Sequence, residues 1–229
     1  QLLLNRVDAL QLPLAELTRE ANRAVARFLD ERNQQLQQQG LLDINASIAT
    51  YLTSMTLAKG KQTPEAQVSF KNLLDHSSGL TGGGYMGYEK GAAIPSDLQT
   101  FNGEVPANTK AASVETTPGT VVSYSGAGYT LAEIALTDQF KQPFEQLMDT
   151  WVLSPLGMKN SSFALDYPQQ QGVEVALGHD RAGKIISGGW RRHPEQAAAG
   201  LCTSSSTPTN ATQHCNHPHI MLQNTQQYI

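Results

Sequence analysis

Two short stretches, Leu73-Leu74-Asp75-His76-Ser77-Ser78-Gly79-Leu80 and Tyr124-Ser125-Gly126, carry most of the information about the fold of this chain. The first closes an apolar-periodic run over residues 68–74, and its Ser-Ser-Gly end indicates a turn. The second follows residues 120–123, Thr-Val-Val-Ser, whose β-branched side chains favour a short strand or an extended approach. Glycine at position 126 breaks that segment. The pattern therefore predicts a short apolar element and, later in the chain, an extended segment that ends at a tyrosine.

Helical periodicity surrounds these two stretches. Residues 13–39 read as one long helix, with Pro13 suited to its first position and Gly40 to its end. The apolar residues of this segment recur at three- and four-residue steps, which predicts one buried face. Shorter helices are predicted over residues 41–52, 129–140 and 143–152.

The remaining segments carry loop and turn signals. Residues 53–67 are polar and predict a loop. Residues 81–119 contain Gly82-Gly83-Gly84 and three prolines with little periodicity. This composition predicts a long segment without regular structure that covers a functional site. Short strands over residues 173–178 and 184–186 are predicted to be joined by a hairpin-type turn.

The composition of the 229 residues is that of an ordinary globular protein. Hydrophobic residues make up 39%, and the net charge of −4 with mixed signs gives no indication of nucleic-acid binding. No run of about 18 uncharged apolar residues occurs, so no membrane span is predicted. Residues 1–4 are too short for the apolar core of a signal peptide. Cys202 and Cys215 allow one disulfide, but two cysteines do not define a compartment.

Residues 202–229 differ in character from the rest of the chain. They are rich in Ser, Thr, His, Asn and Gln, with almost no charge and no apolar period, which predicts a disordered tail. Zinc binding is one interpretation of the potential ligands that this tail holds, namely Cys202, His214, Cys215, His217 and His219. Because the two cysteines do not form a Cys-x-x-Cys knuckle, incidental histidines are the favoured interpretation, and no metal site is predicted.

Further segments accompany the two opening stretches in order along residues 35–201. They lie at residues 39–46, 118–120, 155–163, 178–180, 188–190 and 194–201. In this order and spacing the chain resembles the class C β-lactamase-like serine hydrolases, a family that includes penicillin-binding proteins and esterases. Each segment alone is a weak signal, and the resemblance rests on their joint order.

The resemblance implies an acyl-enzyme mechanism built from three motifs in one cleft. A serine attacks the acyl carbonyl, a lysine three residues later helps to deprotonate it, and a tyrosine shuttles the proton. Among the 229 residues only the tyrosine motif is matched, so Tyr124 is the predicted catalytic residue, with Ser125 and Gly126 as predicted substrate-binding residues. The Tyr-Ser-Gly form resembles the esterase-like branch more than the true β-lactamases. No cofactor is implied.

The nucleophile motif is where this chain departs from the family. No Ser-x-x-Lys occurs, and the positions expected to hold its serine and lysine are Arg23 and Ala26. Thr56 and Lys59 have the same spacing but lie in a predicted loop. The third motif, a Lys-Thr-Gly or His-x-Gly on a late strand, is also missing. A truncated or frame-slipped copy of a longer hydrolase would show this pattern.

The resemblance implies an α+β fold of the β-lactamase/transpeptidase type. Because the family sheet draws strands from both chain ends, and both ends depart from the pattern, we expect a retained helical subdomain and an incomplete antiparallel sheet. The expected organisation is an N-terminal helix over residues 1–34 that departs from the family, a partial hydrolase domain over 35–201, and the tail over 202–229. Open sheet edges favour self-association.

Two functions follow as hypotheses. The first is a serine hydrolase of esters, amides or β-lactams that is inactive because its nucleophile motif is missing, so that enzyme activity itself is uncertain. The second is a non-catalytic module that binds an acyl peptide or peptidoglycan on the same scaffold. The resemblance implies a periplasmic or secreted location, and the residues themselves leave the location unknown.

Two single residues have alternative interpretations. Tyr124 could be a packed strand tyrosine, since buried tyrosines are common. His76 is interpreted as a turn histidine that orders a helix end near the site, in preference to a catalyst. Without a neighbouring lysine, the pKa of Tyr124 is expected to stay near the value of a free phenol, about 10.

Overall fold

The computed structural model describes residues 36, 39–166, 176–180 and 182–203. Short helices and irregular segments surround one longer helix. The α-helices span Phe70–Leu74, Asp97–Asn102, Gly126–Phe140, Phe144–Met148 and Gln196–Ala199. A 3-10 turn covers Ile48–Thr50, and Phe144–Met148 continues into a π-helical turn at Asp149–Leu153.

The helix Gly126–Phe140, called the central helix below, is buried on almost every side. Its residues from Gly126 to Leu136 are buried apart from Tyr129. A helix that is apolar nearly all round belongs in the middle of a domain. Accordingly, the helices Phe70–Leu74, Asp97–Asn102 and Gln196–Ala199 all pack against it.

Serine side chains begin three of the helices. Ser69 Oγ accepts the Asn72 N–H at 3.3 Å, and Ser96 Oγ accepts the Gln99 N–H at 3.2 Å. Ser125 Oγ accepts the Gly128 N–H at 3.1 Å. Each of these bonds satisfies a first-turn amide that has no partner within its helix.

Backbone pairing between extended segments is sparse in the part of the chain that the structure describes. It consists of isolated antiparallel bridges that join Ser47 to Ser69, Leu80 to Val114, Tyr88 to Arg192, Ser162 to Cys202 and His179 to Ile185. Tyr88 and Arg192 exchange both backbone hydrogen bonds at 2.8 Å. Four of these bridges join segments that are distant in the sequence, and the bridge from His179 to Ile185 closes a local turn.

The predicted helix over residues 41–52 is wrong, because only the 3-10 turn Ile48–Thr50 forms there. Asp43 Oδ1 accepts the Asn45 N–H at 2.9 Å, a local bond that competes with helix formation. The Ile48 N–H donates to the Val68 carbonyl at 2.7 Å. The backbone of this segment therefore combines short turns with a bond to a more distant part of the chain, in place of a continuous helix.

The prediction that residues 81–119 lack regular structure is wrong. They contain the helix Asp97–Asn102, which starts with a reciprocal capping box between Ser96 and Gln99. A serine followed three residues later by glutamine is a known signal for a helix start. That signal was present in the sequence, and the surrounding glycines and prolines obscured it.

The other predicted elements are present in the structure in part or with different bounds. Residues 53–67 form a loop, as predicted, and the predicted helix over 129–140 exists but begins at Gly126. The helix predicted over 143–152 is observed as Phe144–Met148 and the π-helical turn that follows it. The hairpin turn is present, since Asp180 N–H donates to the Lys184 carbonyl at 2.8 Å, but its described part holds one bridge and no strand.

Some predictions fall largely on residues that the structure does not describe. These are the long helix over 13–39, the start of the strand over 173–178 and the tail beyond residue 203. Among the described helices, none has the length and apolar character needed to cross a membrane.

Candidate active site

Tyr124 lies in an irregular segment that leads directly into the central helix. The side chain is 53% exposed, and Val121 and Val122 before it are 50% and 75% exposed. The segment forms no strand, so the predicted strand over residues 120–123 is not observed. Tyr124 is therefore not a packed strand tyrosine but presents part of its ring at the surface.

His76 packs against Tyr124. The two ring centroids are 4.8 Å apart, with the planes tilted by 44°. On another side the imidazole contacts Tyr129, whose centroid lies 5.3 Å away. The Tyr129 hydroxyl donates to the Leu74 carbonyl at 3.2 Å. The three rings form one aromatic group between the end of the helix Phe70–Leu74 and the start of the central helix.

The backbone on both sides of Tyr124 is bonded to the same histidine. The Ser123 N–H donates to the His76 carbonyl at 2.8 Å. The Ser125 N–H donates to His76 Nδ1 at 3.3 Å. The sequence interpretation of His76 as a turn residue was correct about its position, but the contact with Tyr124 was not foreseen.

Ser125 is a buried capping residue. Its side chain is 1% exposed, and its Oγ donates to the Thr81 carbonyl at 3.2 Å while accepting the Gly128 N–H. Its hydroxyl is thus engaged by the protein itself. A substrate-binding role for Ser125 stays a prediction.

Gly126 sits where the chain comes closest to the loop after Thr81. Its N–H donates to the Gly83 carbonyl at 3.1 Å. A Cβ at this position would lie 2.4 Å from that carbonyl oxygen and 3.0 Å from the ring of Tyr85. Glycine is therefore required by packing, and a role in substrate binding stays a prediction for Gly126 as well.

The pKa shifts of His76 and Tyr129 favour the uncharged form of both side chains. Burial lowers the pKa of His76 below its usual value, although the Asp75 carboxylate opposes this. Burial also raises the pKa of the Tyr129 phenol, with smaller contributions from Tyr124 and Asp75. A neutral histidine and a protonated tyrosine therefore surround Tyr124 near neutral pH.

The central helix also carries one member of a set of carboxyl groups that sequence reasoning missed. Glu133 of the central helix and Glu195 are 1% and 0% exposed. Glu133 Oε2 accepts the Ala197 N–H at 2.8 Å, and Glu195 Oε1 lies 3.1 Å from His193 Nδ1. Glu195 Oε2 is buried and has no hydrogen-bond partner among the described residues. A glutamate inside the apolar run 131–136 was the signal that could have revealed this set.

The carboxyl groups disfavour one another's ionisation. Burial, followed by Asp97, raises the pKa of Glu133 well above its usual value. Burial, followed by Glu195, raises the pKa of Asp97 to about 6. The nearby Tyr85 hydroxyl forms a hydrogen bond with Thr130 Oγ1 at 2.6 Å. Burial raises the pKa of the Tyr85 phenol as well. In the part of the chain that the structure describes, no group of His, Cys, Asp or Glu is arranged to hold a metal ion.

The alternative nucleophile pair is not brought together on a helix. Thr56 and Lys59 both lie in the irregular loop after the 3-10 turn, where spacing by three residues does not align side chains. Arg23 and Ala26 lie outside the described residues. A polar groove exists elsewhere, lined by Asn45, Ser47, Pro64, Glu65, Ala66, Gln67, Ser69, Lys71, Asn72 and Pro118. It includes neither Tyr124 nor His76, so we do not assign the site to it.

The proteins with similar sequences are beta-lactamases. A sequence model of the beta-lactamase family matches residues 34–208. A beta-lactamase of Providencia stuartii is 30% identical over 148 residues, which cover 65% of this chain and 34% of that protein. The chain thus spans about a third of the length of this curated relative.

Solved structures share the fold at low identity. A beta-lactamase/D-alanine carboxypeptidase from Yersinia pestis has a TM-score of 0.54 at 17% identity, covering 86% of this chain and 49% of that one. An octameric penicillin-binding protein homologue from Pyrococcus abyssi has a TM-score of 0.56 at 19% identity, covering 86% and 42%. A D-stereospecific amidohydrolase from Streptomyces sp. has a TM-score of 0.56 at 16% identity, covering 85% and 58%. These likenesses confirm the predicted β-lactamase/transpeptidase-like fold.

Proposed function

Because this chain belongs to the β-lactamase-like serine hydrolase family, we propose that it forms the tyrosine-bearing wall of an acyl-transfer cleft. The ligands of this cleft are esters, amides or β-lactams. The observation that carries the proposal is the placement of Tyr124, which is half exposed and held at the start of a buried helix by contacts to His76. A phenol so placed can pass a proton between an attacking hydroxyl and a leaving group.

We further propose that the 229 residues do not by themselves form an acyl-enzyme. Nucleophilic catalysis needs a hydroxyl that a neighbouring base activates. The sequence contains no Ser-x-x-Lys, and Ser125, one of the two serines that flank the tyrosine, is buried and serves as a helix cap. Tyr124 would therefore have no activated nucleophile to serve within this chain.

Covalent labelling tests this proposal. The chain is incubated with a fluorophosphonate and, separately, with a penicillin, and the intact mass is measured. We expect no adduct, while an authentic penicillin-binding protein in parallel is labelled fully. A stoichiometric adduct on any serine would show that a nucleophile exists and would overturn the proposal.

Substitution of the tyrosine gives a second test. Tyr124→Phe is expected to leave any residual hydrolysis of p-nitrophenyl acetate unchanged, because a proton shuttle without a nucleophile has nothing to accelerate. The variant keeps the ring that packs on His76, so the fold should be intact by circular dichroism. A drop of about a hundredfold, the usual contribution of a general acid or base, would show that Tyr124 is catalytic.

The architecture that we propose has a retained helical part and an incomplete antiparallel sheet. Its support is the contrast between the packed central helix and the isolated bridges around it. The proposed organisation is an N-terminal segment over 1–34, a partial hydrolase domain over 35–201 and a tail over 202–229. Incomplete pairing leaves edges that favour self-association, and the relative from Pyrococcus abyssi is described as octameric. Light scattering of the purified chain tests this, and a monodisperse monomer would contradict it.

A second candidate function is reversible binding of an acyl peptide or peptidoglycan without chemistry. The observation that favours it is the exposed apolar strip of Val121, Val122 and Tyr124, which offers a contact surface to a ligand. Thermal-shift measurements against acyl peptides and β-lactams separate the two candidates. A rise in melting temperature with ligand concentration and no covalent adduct supports binding, whereas no shift at millimolar ligand counts against it.

A further inference from the structure

We propose that His76 is the positioning residue of Tyr124, and that it acts only as a neutral imidazole with its proton on Nε2. In this role His76 makes three contacts around Tyr124. It binds the backbone of Ser123, binds the backbone of Ser125 and packs against the tyrosine ring. The functional meaning of this inference rests on the proposed place of Tyr124 in the cleft, but the geometry and its test do not.

The main chain of His76 supplies the first contact. Its carbonyl accepts the Ser123 N–H at 2.8 Å. His76 has a φ of 60°, in the left-handed region. That region is uncommon for residues other than glycine, although histidine, asparagine and aspartate enter it more often than most. His76 follows the last residue of the helix Phe70–Leu74 and its cap Asp75, and the Ser77 N–H donates to the Asn72 carbonyl at 2.9 Å, so this left-handed backbone is that of a helix C-terminus.

The imidazole supplies the other two contacts. Nδ1 accepts the Ser125 N–H at 3.3 Å, and the ring lies 4.8 Å from the ring of Tyr124. A neutral imidazole has one donor nitrogen and one acceptor nitrogen. Because Nδ1 faces a backbone donor, it must be the acceptor, and the proton must reside on Nε2.

Protonation would reverse the contact to Ser125. An imidazolium carries hydrogens on both nitrogens, so Nδ1–H would face the Ser125 N–H and the bond would be lost. Asp75, Tyr124 and Tyr129 are the titratable groups that interact with this imidazole or contact its ring. Burial outweighs the carboxylate of Asp75, which is why the neutral form prevails near pH 7.

The release would be local to the segment of Tyr124. The Ser125 hydroxyl still caps the central helix through Gly128 and still donates to Thr81. The bond from Ser123 to the His76 carbonyl does not depend on the ring. Acidification is therefore expected to free the Tyr124–Ser125 link while the central helix stays formed.

Hydrogen exchange of single amides tests the inference on the full chain. Mass spectrometry with electron-transfer fragmentation gives the protection factors of Ser123, Ser125 and Leu131 between pH 4.5 and 7.5, corrected for intrinsic exchange. In the wild type we expect Ser125 to lose protection by about three- to tenfold toward acid, the range that one hydrogen bond supplies. Ser123 and Leu131 should keep theirs. Constant protection of Ser125 would overturn the proposal.

Two variants separate the side chain from the backbone. His76→Gly tolerates the positive φ and removes Nδ1, so Ser125 should be unprotected at every pH while Ser123 stays protected. His76→Asn also tolerates this backbone and places an amide oxygen that does not titrate near the Nδ1 position. It should keep Ser125 protected and abolish the pH dependence. His179→Asn, at an exposed histidine, is the control and should behave as the wild type.

Each outcome decides something. If His76→Gly loses the protection of Leu131, the variant has unfolded, and the comparison of wild type with His76→Asn decides alone. Equal pH dependence in those two proteins would overturn the proposal. No substrate is used, so an absent adduct in the labelling experiment does not affect this result, and a negative exchange result leaves the labelling experiment intact.

Discussion

At the scale of single residues, close approach rather than conformational freedom explains the glycine beside the tyrosine. Gly126 has the Gly83 carbonyl oxygen 2.4 Å from the place of a Cβ, whereas a Cβ on Gly128 would meet the Leu73 carbonyl at an ordinary 3.6 Å. Both glycines lie in the first turn of the central helix. Alanine has the same gain in helix propensity at Gly126 and Gly128, so the difference in stability between the two variants measures the effect of packing.

Gly126→Ala is expected to lower the free energy of unfolding by about 1–3 kcal/mol, the usual cost of overpacking a core. The gain in helix propensity, about 1 kcal/mol, does not offset this fully. Gly128→Ala is the matched control and should be neutral or stabilising by up to about 1 kcal/mol, because it has the same propensity gain without the clash. Urea unfolding of the three proteins measures both values. An equal effect of the two substitutions would refute the packing argument.

At the scale of elements, serine caps mark the start of three helices, Phe70–Leu74, Asp97–Asn102 and the central helix. Ser125 is buried, makes two hydrogen bonds and begins the 15-residue central helix. Ser96 caps the six-residue helix Asp97–Asn102 at an exposed position. The same chemical group should therefore matter differently at the two places.

Ser125→Ala is expected to cost about 1–2 kcal/mol, the upper part of the range for a lost N-cap, because its Oγ also bonds the Thr81 carbonyl. Ser96→Ala should cost about 0.5–1 kcal/mol. Both are measured by urea unfolding under the same conditions. A larger cost at Ser96 than at Ser125 would contradict the importance of burial.

At the scale of the whole molecule, the buried carboxyl groups couple separate parts of the chain. Glu133 belongs to the central helix, Asp97 to an earlier helix, and Glu195 to the segment that precedes Gln196–Ala199. The raised pKa values of Glu133 and Asp97 mean that these two carboxyl groups bind protons more tightly in the folded state than in the unfolded chain. Such a group stabilises the fold fully below its unfolded pKa, near 4, and that contribution is lost as the pH rises through the folded pKa.

Glu133→Gln should flatten this pH dependence. The wild type is expected to lose stability from about pH 4 upward, with Asp97 contributing up to about pH 6. The glutamine cannot ionise, and its amide oxygen can still accept the Ala197 N–H. Glu65→Gln, at an exposed glutamate, is the control and should follow the wild-type curve. Unfolding free energies from pH 4 to 8 measure the effect, and parallel curves for wild type and Glu133→Gln would count against it.

The sequence alone determined the features that depend on neighbours along the chain. Periodicity predicted the central helix over 129–140, and the polar composition predicted the loop over 53–67, both of which are present. The ordered segments also identified the family. These features are decided by spacing and composition within a few residues, so they can be read without coordinates.

Only the tertiary structure decided the features that depend on distant partners. His76 Nδ1 meets the Ser125 amide across 49 positions of sequence, and the Ile48 N–H donates to the Val68 carbonyl. Glu133 is found against Ala197, 64 positions away. A local pattern carries no record of which donor will face which acceptor, because that is set by the packing of the elements around the central helix. For the same reason Tyr124 could be singled out from its motif, whereas the histidine that holds it became evident only in the fold.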